Sequence, residues 1–179
     1  MLNNKSVKLV FQLLSIRIIQ SLEINTLSCT PDEEHIATGS QDKLVKIWRA
    51  SDIALITTLS GHRRGIWCTK FFRDASSQQT YLVTASADSN VKLWGKTILG
   101  DFNCIHTLEG HLSSVLSVTV LTSIAKGGGT KIASVSSDGL LKVWTSENNW
   151  NGDVGSFDAH EDKIWAVECV ANEKIITGN

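Results

Sequence analysis

The sequence predicts an all-β chain built from antiparallel four-stranded units, and three observations carry that expectation. Short apolar runs alternate with polar turns, helical periodicity is absent, and one pattern recurs in register. The segments ATGSQDKLVKIW (37–48), TASADSNVKLW (84–94) and SVSSDGLLKVW (134–144) align without gaps. Each carries Ser, Asp two residues on and Trp six further: Ser40/Asp42/Trp48, Ser86/Asp88/Trp94 and Ser136/Asp138/Trp144. The strings GHRRGI, GHLSSV and AHEDKI place His62, His111 and His160 at equal intervals of 49 residues.

Taken in order, residues 1–22 are expected to be an atypical leader. Gln12 and Arg17 interrupt its apolar run, which is too short and polar to span a bilayer and lacks a cleavage site. Residues 23–179 then hold about three complete units and a partial fourth. Counting back four residues from Ile24, as His62 precedes Ile66, reaches Gln20 rather than His, so the first unit's tetrad is broken or replaced. In the second unit the strands are expected at Ile66 to Phe72, Tyr81 to Ala85, Asn90 to Trp94 and Cys104 to Leu108, with insertions at Ser76 to Thr80 and, in the third, Ala125 to Thr130. Ser137-Asp138-Gly139 and Asn151-Gly152 read as tight hairpins, because Gly accepts positive φ. Thr177-Gly178-Asn179 aligns with Thr38-Gly39-Ser40, so the chain stops within the second strand of a fourth unit.

Indole N–H, hydroxyl, carboxylate and imidazole at a fixed period form a chain of donors and acceptors that ties a loop to two strands. A Ser/His/Asp catalytic triad needs one site, whereas these residues recur at a structural period, so no catalytic residues are expected. No cofactor is expected either: Gly95-Lys96-Thr97 has Asn90 where a phosphate-binding loop needs Gly. Cys29, Cys68, Cys104 and Cys169 form no CxxC pair and the five His share no short spacing, so no metal site and no disulfide framework are expected. Reduced intracellular thiols follow, with Cys29 and Cys169 as small core hydrophobes in the place of Phe71 and Val120. With 17 Lys and Arg against 18 Asp and Glu, any nucleic acid contact is local rather than driven by a large basic excess.

The pattern S-x-D-x5-W in three copies, two of them preceded by GH, resembles the WD-repeat β-propeller family. That implies four-stranded antiparallel blades, here a propeller fragment forming an open arc. The residue after each Trp is Arg49, Gly95 or Thr145, so the Asp of the family's namesake dipeptide is missing throughout. Within the family, LSGHRRGIWC (59–68), DFNCIHTLEGH (101–111) and DAHEDKIWAVE (158–168) resemble the transducin beta-like WD-repeat proteins of the nucleolar small-subunit processome. The resemblance spans residues 23–179. It implies a non-catalytic scaffold in the nucleolus, partnered by other WD-repeat proteins of a multi-subunit complex. The resemblance further implies small nucleolar RNA and pre-ribosomal RNA as partners within that assembly, with no membrane and no small-molecule substrate expected.

Blade loops carry the variable chemistry. Arg63 and Arg64, with Trp67 and Trp165 at equivalent positions, are candidate partner-binding residues, since Trp and Arg are enriched at binding hot spots. Packing of both Trp at the channel rim beside a solvated Arg pair is the competing expectation. An adaptor of another complex, such as a ubiquitin ligase substrate receptor, is the alternative function. Receptors of one such class place Arg three residues after the blade Trp, where this sequence has Ser51, Thr97 and Glu147.

Overall fold

The computed structural model describes residues 20–74, 77–96, 101–121, 129–170 and 174–179. Most of the expected leader and parts of both insertion segments lie outside them. β1 (Ile24–Cys29), β2 (His35–Ser40), β3 (Val45–Arg49) and β4 (Leu55–Leu59) form the first sheet, paired in chain order. β5 (Ile66–Arg73), β6 (Thr80–Ser86), β7 (Val91–Lys96) and β8 (Phe102–Leu108) repeat it. So do β9 (Val115–Leu121), β10 (Lys131–Ser136), β11 (Leu140–Thr145) and β12 (Asp153–Asp158), while β13 (Ala166–Val170) and β14 (Lys174–Gly178) make a two-stranded fourth sheet. All pairings are antiparallel.

The sheets stack face to face through three apolar layers. Ala37, Val45 and Ile47 of the first meet Ile66, Phe71 and Leu82 of the second. Val83, Val91 and Leu93 on the other face of the second meet Val115, Val118 and Ile132 of the third. Ala133, Val135 and Leu141 then meet Ile164 and Val167 of the fourth. A strand covered on both faces has no solvent side, which is why IATGS and IASVS are buried at every residue. No helix among the described residues is long and apolar enough to cross a membrane.

The arc is open, and equivalent positions show it. Val118 and Val167 are 2% and 4% exposed against the preceding sheet, whereas their first-sheet counterpart Leu27 is 47% exposed. On the other face Ala37, Val83 and Ala133 are wholly buried, but their fourth-sheet counterpart Ile176 is 62% exposed. Cys29 shares Leu27's uncovered face and is itself exposed, which corrects its expected core role; Cys169 is half-buried against the third sheet. The four cysteines are unpaired.

The innermost strands β1, β5, β9 and β13 lie side by side. Thr26 and Thr69 join the first two through their hydroxyls and the Thr69 N–H. Lys70 of β5 reaches past β9 to Glu168 of β13, with Nζ 2.8 and 3.0 Å from the two carboxylate oxygens, and Thr119 of β9 donates to the same carboxylate at 2.7 Å. Three sheets are therefore linked at one level.

Ser137-Asp138-Gly139 forms the expected hairpin, with Gly139 at φ 78°. Asn151-Gly152 does not form a tight one. A 3-10 turn (Ser146–Asn148) intervenes between β11 and β12 because Thr145 caps it, its side chain accepting the Glu147 N–H.

Candidate functional site

In the second sheet Trp94 Nε1 donates to Thr84 Oγ1 at 3.0 Å, Thr84 Oγ1 lies 2.7 Å from His62 Nε2, and His62 Nδ1 lies 2.9 Å from Asp88 Oδ2. The third repeats it: Trp144 Nε1 to Ser134 Oγ at 2.9 Å, Ser134 Oγ to His111 Nε2 at 2.8 Å, and His111 Nδ1 to Asp138 Oδ2 at 3.1 Å. A carboxylate only accepts, so each imidazole carries its hydrogen on Nδ1. In a neutral ring the remaining nitrogen accepts from the hydroxyl, and the relay then runs from indole to carboxylate.

The hydroxyl in the relay corrects the sequence-based assignment. Among the described residues no hydrogen bond joins Ser40, Ser86 or Ser136 to His or Trp. Thr38, Thr84 and Ser134, two residues earlier, take that place, because each Trp leans over its diagonal neighbour on the adjacent strand. Trp94 pairs with Leu82 and Lys92 with Thr84, which puts Thr84 within reach of the indole and Ser86 one step beyond it. Ser86 instead donates to the Gly65 and Arg64 carbonyls at 2.9 and 3.1 Å and accepts the Asp88 N–H at 3.2 Å. The repeated hydroxyl four residues before each Asp was the available signal: Thr38, Thr84 and Ser134 precede Asp42, Asp88 and Asp138.

The first tetrad is replaced rather than lost. Trp48 Nε1 donates to Thr38 Oγ1 and Thr38 donates to Gln20 Oε1, both at 2.9 Å. Asp42 accepts the Ser21 hydroxyl at 3.1 Å. In the fourth sheet His160 Nε2 lies 2.9 Å from Thr177 Oγ1.

Each Asp also fixes two backbones. Asp88 accepts the N–H of Arg63 at 2.8 Å and of Asn90 at 3.1 Å, and Asp138 those of Leu112 at 2.8 Å and Leu140 at 3.0 Å. Burial pushes the Asp88 carboxyl up, but its bonds from His62 and Arg63 outweigh that and hold it at about 2. Asp138 is lowered by the same balance, with the Leu112 and Leu140 N–H groups leading. Burial pushes His111 below its usual value despite Asp138, so the ring is neutral near pH 7. Thr84 and the His62 side chain are fully buried, and Thr84 Oγ1 already receives the indole N–H. These residues position loops and are not placed to attack a substrate.

What the relays position is a rim. The loop preceding each innermost strand is tied to the hairpin turn of its own sheet by one recurring bond: Gln41 N to Glu23 O, Ala87 N to Gly65 O and Ser137 N to Ser114 O. Neighbouring sheets abut there. A Cβ on Gly65 would fall 2.4 Å from Gln41 Oε1 of the first sheet, and one on Gly139 2.9 Å from the His160 carbonyl. Arg63 and Arg64 are exposed on the second loop, and neither guanidinium has an ion-pair partner among the described residues. Trp67 is the extra residue of a β-bulge between Ile66 and Cys68, which turns its side chain outward at 39% exposure. Trp165 is 60% exposed just before β13, while Asn25, at the equivalent bulge of β1, donates to the Ile66 carbonyl at 2.9 Å. Sequence reasoning missed Leu112, which aligns with Arg63 and is 85% exposed.

One exposed cluster offers several metal-type ligands. Asp32, Glu34 and His35 bring ligand atoms within 4.8 Å of one another in the β1–β2 turn. Asp32 there accepts the Thr30 hydroxyl and the Glu34 N–H, so the carboxylate already serves the turn.

The model of the WD domain, G-beta repeat, matches residues 16–49, 53–95 and 102–145, more than half of the chain. The chain belongs to the WD-repeat family. A rice (Oryza sativa subsp. japonica) relative, pre-mRNA-processing factor 19, is 35% identical over 97 residues, covering 54% of this chain and 18% of that protein. Transducin beta-like protein 3 of Bos taurus is 44% identical over 48 residues, 27% of this chain and 6% of its own length. The solved structure of U3-55K superposes with a TM-score of 0.72 at 23% identity, over 89% of this chain and 44% of that one. This WD-repeat chain therefore spans less than half of each of these relatives.

Proposed function

We propose that this WD-repeat chain is a non-catalytic scaffold of the nucleolar small-subunit processome, acting in pre-ribosomal RNA processing, and that Arg63, Arg64, Trp67 and Trp165 form its partner surface. The observation that carries the scaffold reading is the use of the relays: His and Asp are spent on fixing backbone, which presents the rim side chains outward. Arg forks bidentately onto carboxylate or phosphate, and exposed Trp supplies rigid apolar area. Likeness to transducin beta-like protein 3 at 44% identity, together with the strings around His62, His111 and His160, supports the processome as the assembly. Its partners in that reading are other WD-repeat proteins, with small nucleolar and pre-ribosomal RNA recovered through the assembly.

The test is affinity purification of the tagged protein from cells, with sequencing of bound RNA, for the parent and for R63A/R64A. The expected result is recovery of other WD-repeat proteins with small nucleolar and pre-ribosomal RNA. The variant, melting normally, should lose several-fold of that recovery. Ubiquitin ligase subunits or splicing factors in their place would overturn the assembly, and full recovery by the variant would overturn the surface.

A further inference from the structure

Read around the arc, the loops of the rim change character from sheet to sheet at matched positions. The second loop presents Arg63 and Arg64, the third presents Leu112, and the fourth presents Glu161 and Asp162, all exposed. Lys163 follows on the fourth loop at the position of Gly65 and leaves that loop net acidic, while no acid shares the second loop. Trp67, on β5, and Trp165, just before β13, belong to the sheets on either side of the Leu112 loop. The second and third loops are held from beneath, since Asp88 binds the Arg63 N–H and Asp138 the Leu112 N–H, and the fourth rests on the third sheet's turn through the Ile164 N–H and the Ser136 carbonyl. At the position after each loop's His the order is therefore basic, apolar, acidic, while exposed Glu109 opens the third loop with an acid of its own.

We propose that this rim docks an extended segment of a partner protein with a fixed polarity. Acidic residues lie over Arg63 and Arg64, apolar side chains over Leu112 between the two Trp, and basic residues over Glu161 and Asp162. The proposal rests on the reading of the rim as the partner surface. Packed sheets stand about 10 Å apart but converge at their innermost strands, where Lys70 reaches Glu168 across β9. Loops two sheets apart are therefore separated by about 10–20 Å, which roughly three to six residues of extended chain at about 3.3 Å each would span. Charge complementarity at both ends selects the direction, and a segment bound backwards meets like charges at each end. A nucleic acid strand fits less well, because its uniform negative charge is repelled by the fourth loop.

The experiment is a fluorescence-anisotropy titration of the whole chain with a labelled eight-residue peptide, two Asp, Gly-Leu-Leu-Gly, then two Lys. A second peptide has its Asp and Lys exchanged. The expected result is preference for one polarity by the parent protein, at least tenfold weaker binding of that peptide by R63E/R64E, and reversal of the preference in R63E/R64E/E161K/D162K. Equal binding of both peptides by the parent, or no change in R63E/R64E, overturns the polarity. Displacement of the peptide by oligouridylate with the same dependence on the Arg pair overturns a protein occupant. If R63A/R64A loses its cellular partners while peptide polarity has no effect, the surface stands and this inference falls; if neither responds, the surface reading fails as well.

Discussion

His111 shows what a single relay member does, because the same chain contains its natural replacement. Gln20 occupies the equivalent place in the first sheet and accepts from Thr38 as His111 accepts from Ser134. H111A should cost about 3 kcal/mol, since it strips one partner from the buried Ser134 hydroxyl and one from Asp138 at roughly 1–3 kcal/mol each. H111Q should cost less, by about 1 kcal/mol, as its amide oxygen restores an acceptor to Ser134. The two differ from the parent in pH dependence too. Burial holds His111 below its unfolded value of 6.5, so its contribution is complete above pH 6.5 and declines as pH falls below it, when the unfolded chain takes up the proton first. Asp88, at about 2 when folded against 3.8 unfolded, contributes about 2 kcal/mol above pH 3.8 that is lost as pH falls toward 2. Urea unfolding from pH 8 to 3 should show the first decline in the parent and its absence in H111Q; an unchanged slope in H111Q would reject the buried neutral ring. His, Asp and Trp of the relay were legible because their types and period are fixed by the hydrogen-bond chain. The hydroxyl was misplaced because two candidate hydroxyls lie two residues apart on one strand face, and only the lean of the indole chooses between them.

At the scale of the element, the hairpin turn after each relay strand needs one left-handed residue. Lys43 at φ 73° and Ser89 at φ 69° occupy the position that Gly139 fills at φ 78°. A side chain there costs roughly 1–2 kcal/mol, against about 0.5–1 kcal/mol of extra backbone entropy for Gly. S89G should therefore stabilise the chain by about 0.5 kcal/mol, a rise of roughly 1–2 °C in Tm. G139A should do the opposite, since its Cβ would also meet the His160 carbonyl. Calorimetry of the two variants decides it, and an S89G melting at or below the parent would refute the strain. Strands were legible almost to the residue, since β5 extends the expected run by one residue and β6 by one at each end, while β7 starts one residue later and ends two later than expected. The bulges at Asn25, Trp67 and Leu116 were not, because they arise where the strand before each turn pairs across a skipped residue, as Ser86 does with Ile66 while Ala85 pairs with Cys68. Exposure of Trp67 follows from that skip and not from its residue type.

Over the whole molecule, the two ends of the arc are complementary surfaces. The outer face at Ile176 is equivalent to the faces at Val83 and Ala133 that receive a following sheet, and the face at Leu27 is equivalent to those at Val118 and Val167 that are received. A second copy presenting its Leu27 face to Ile176 would repeat the internal contact, and such a head-to-tail contact propagates unless the rotation closes. The ion pair of Lys70 with Glu168 ties the last sheet to the second across Thr119. Exposed apolar faces of this kind drive association. Sedimentation velocity should accordingly show concentration-dependent species above the 19.6 kDa monomer. I176E should shift the distribution to monomer, because a carboxylate buried against Leu27 and Cys29 of another copy would lack a partner. Its far-ultraviolet circular dichroism should match the parent, since Ile176 is exposed and the β13–β14 pairing uses backbone groups. Association of I176E at the parent's strength would show that the contact lies elsewhere, with the exposed strand β14 as the next surface to test.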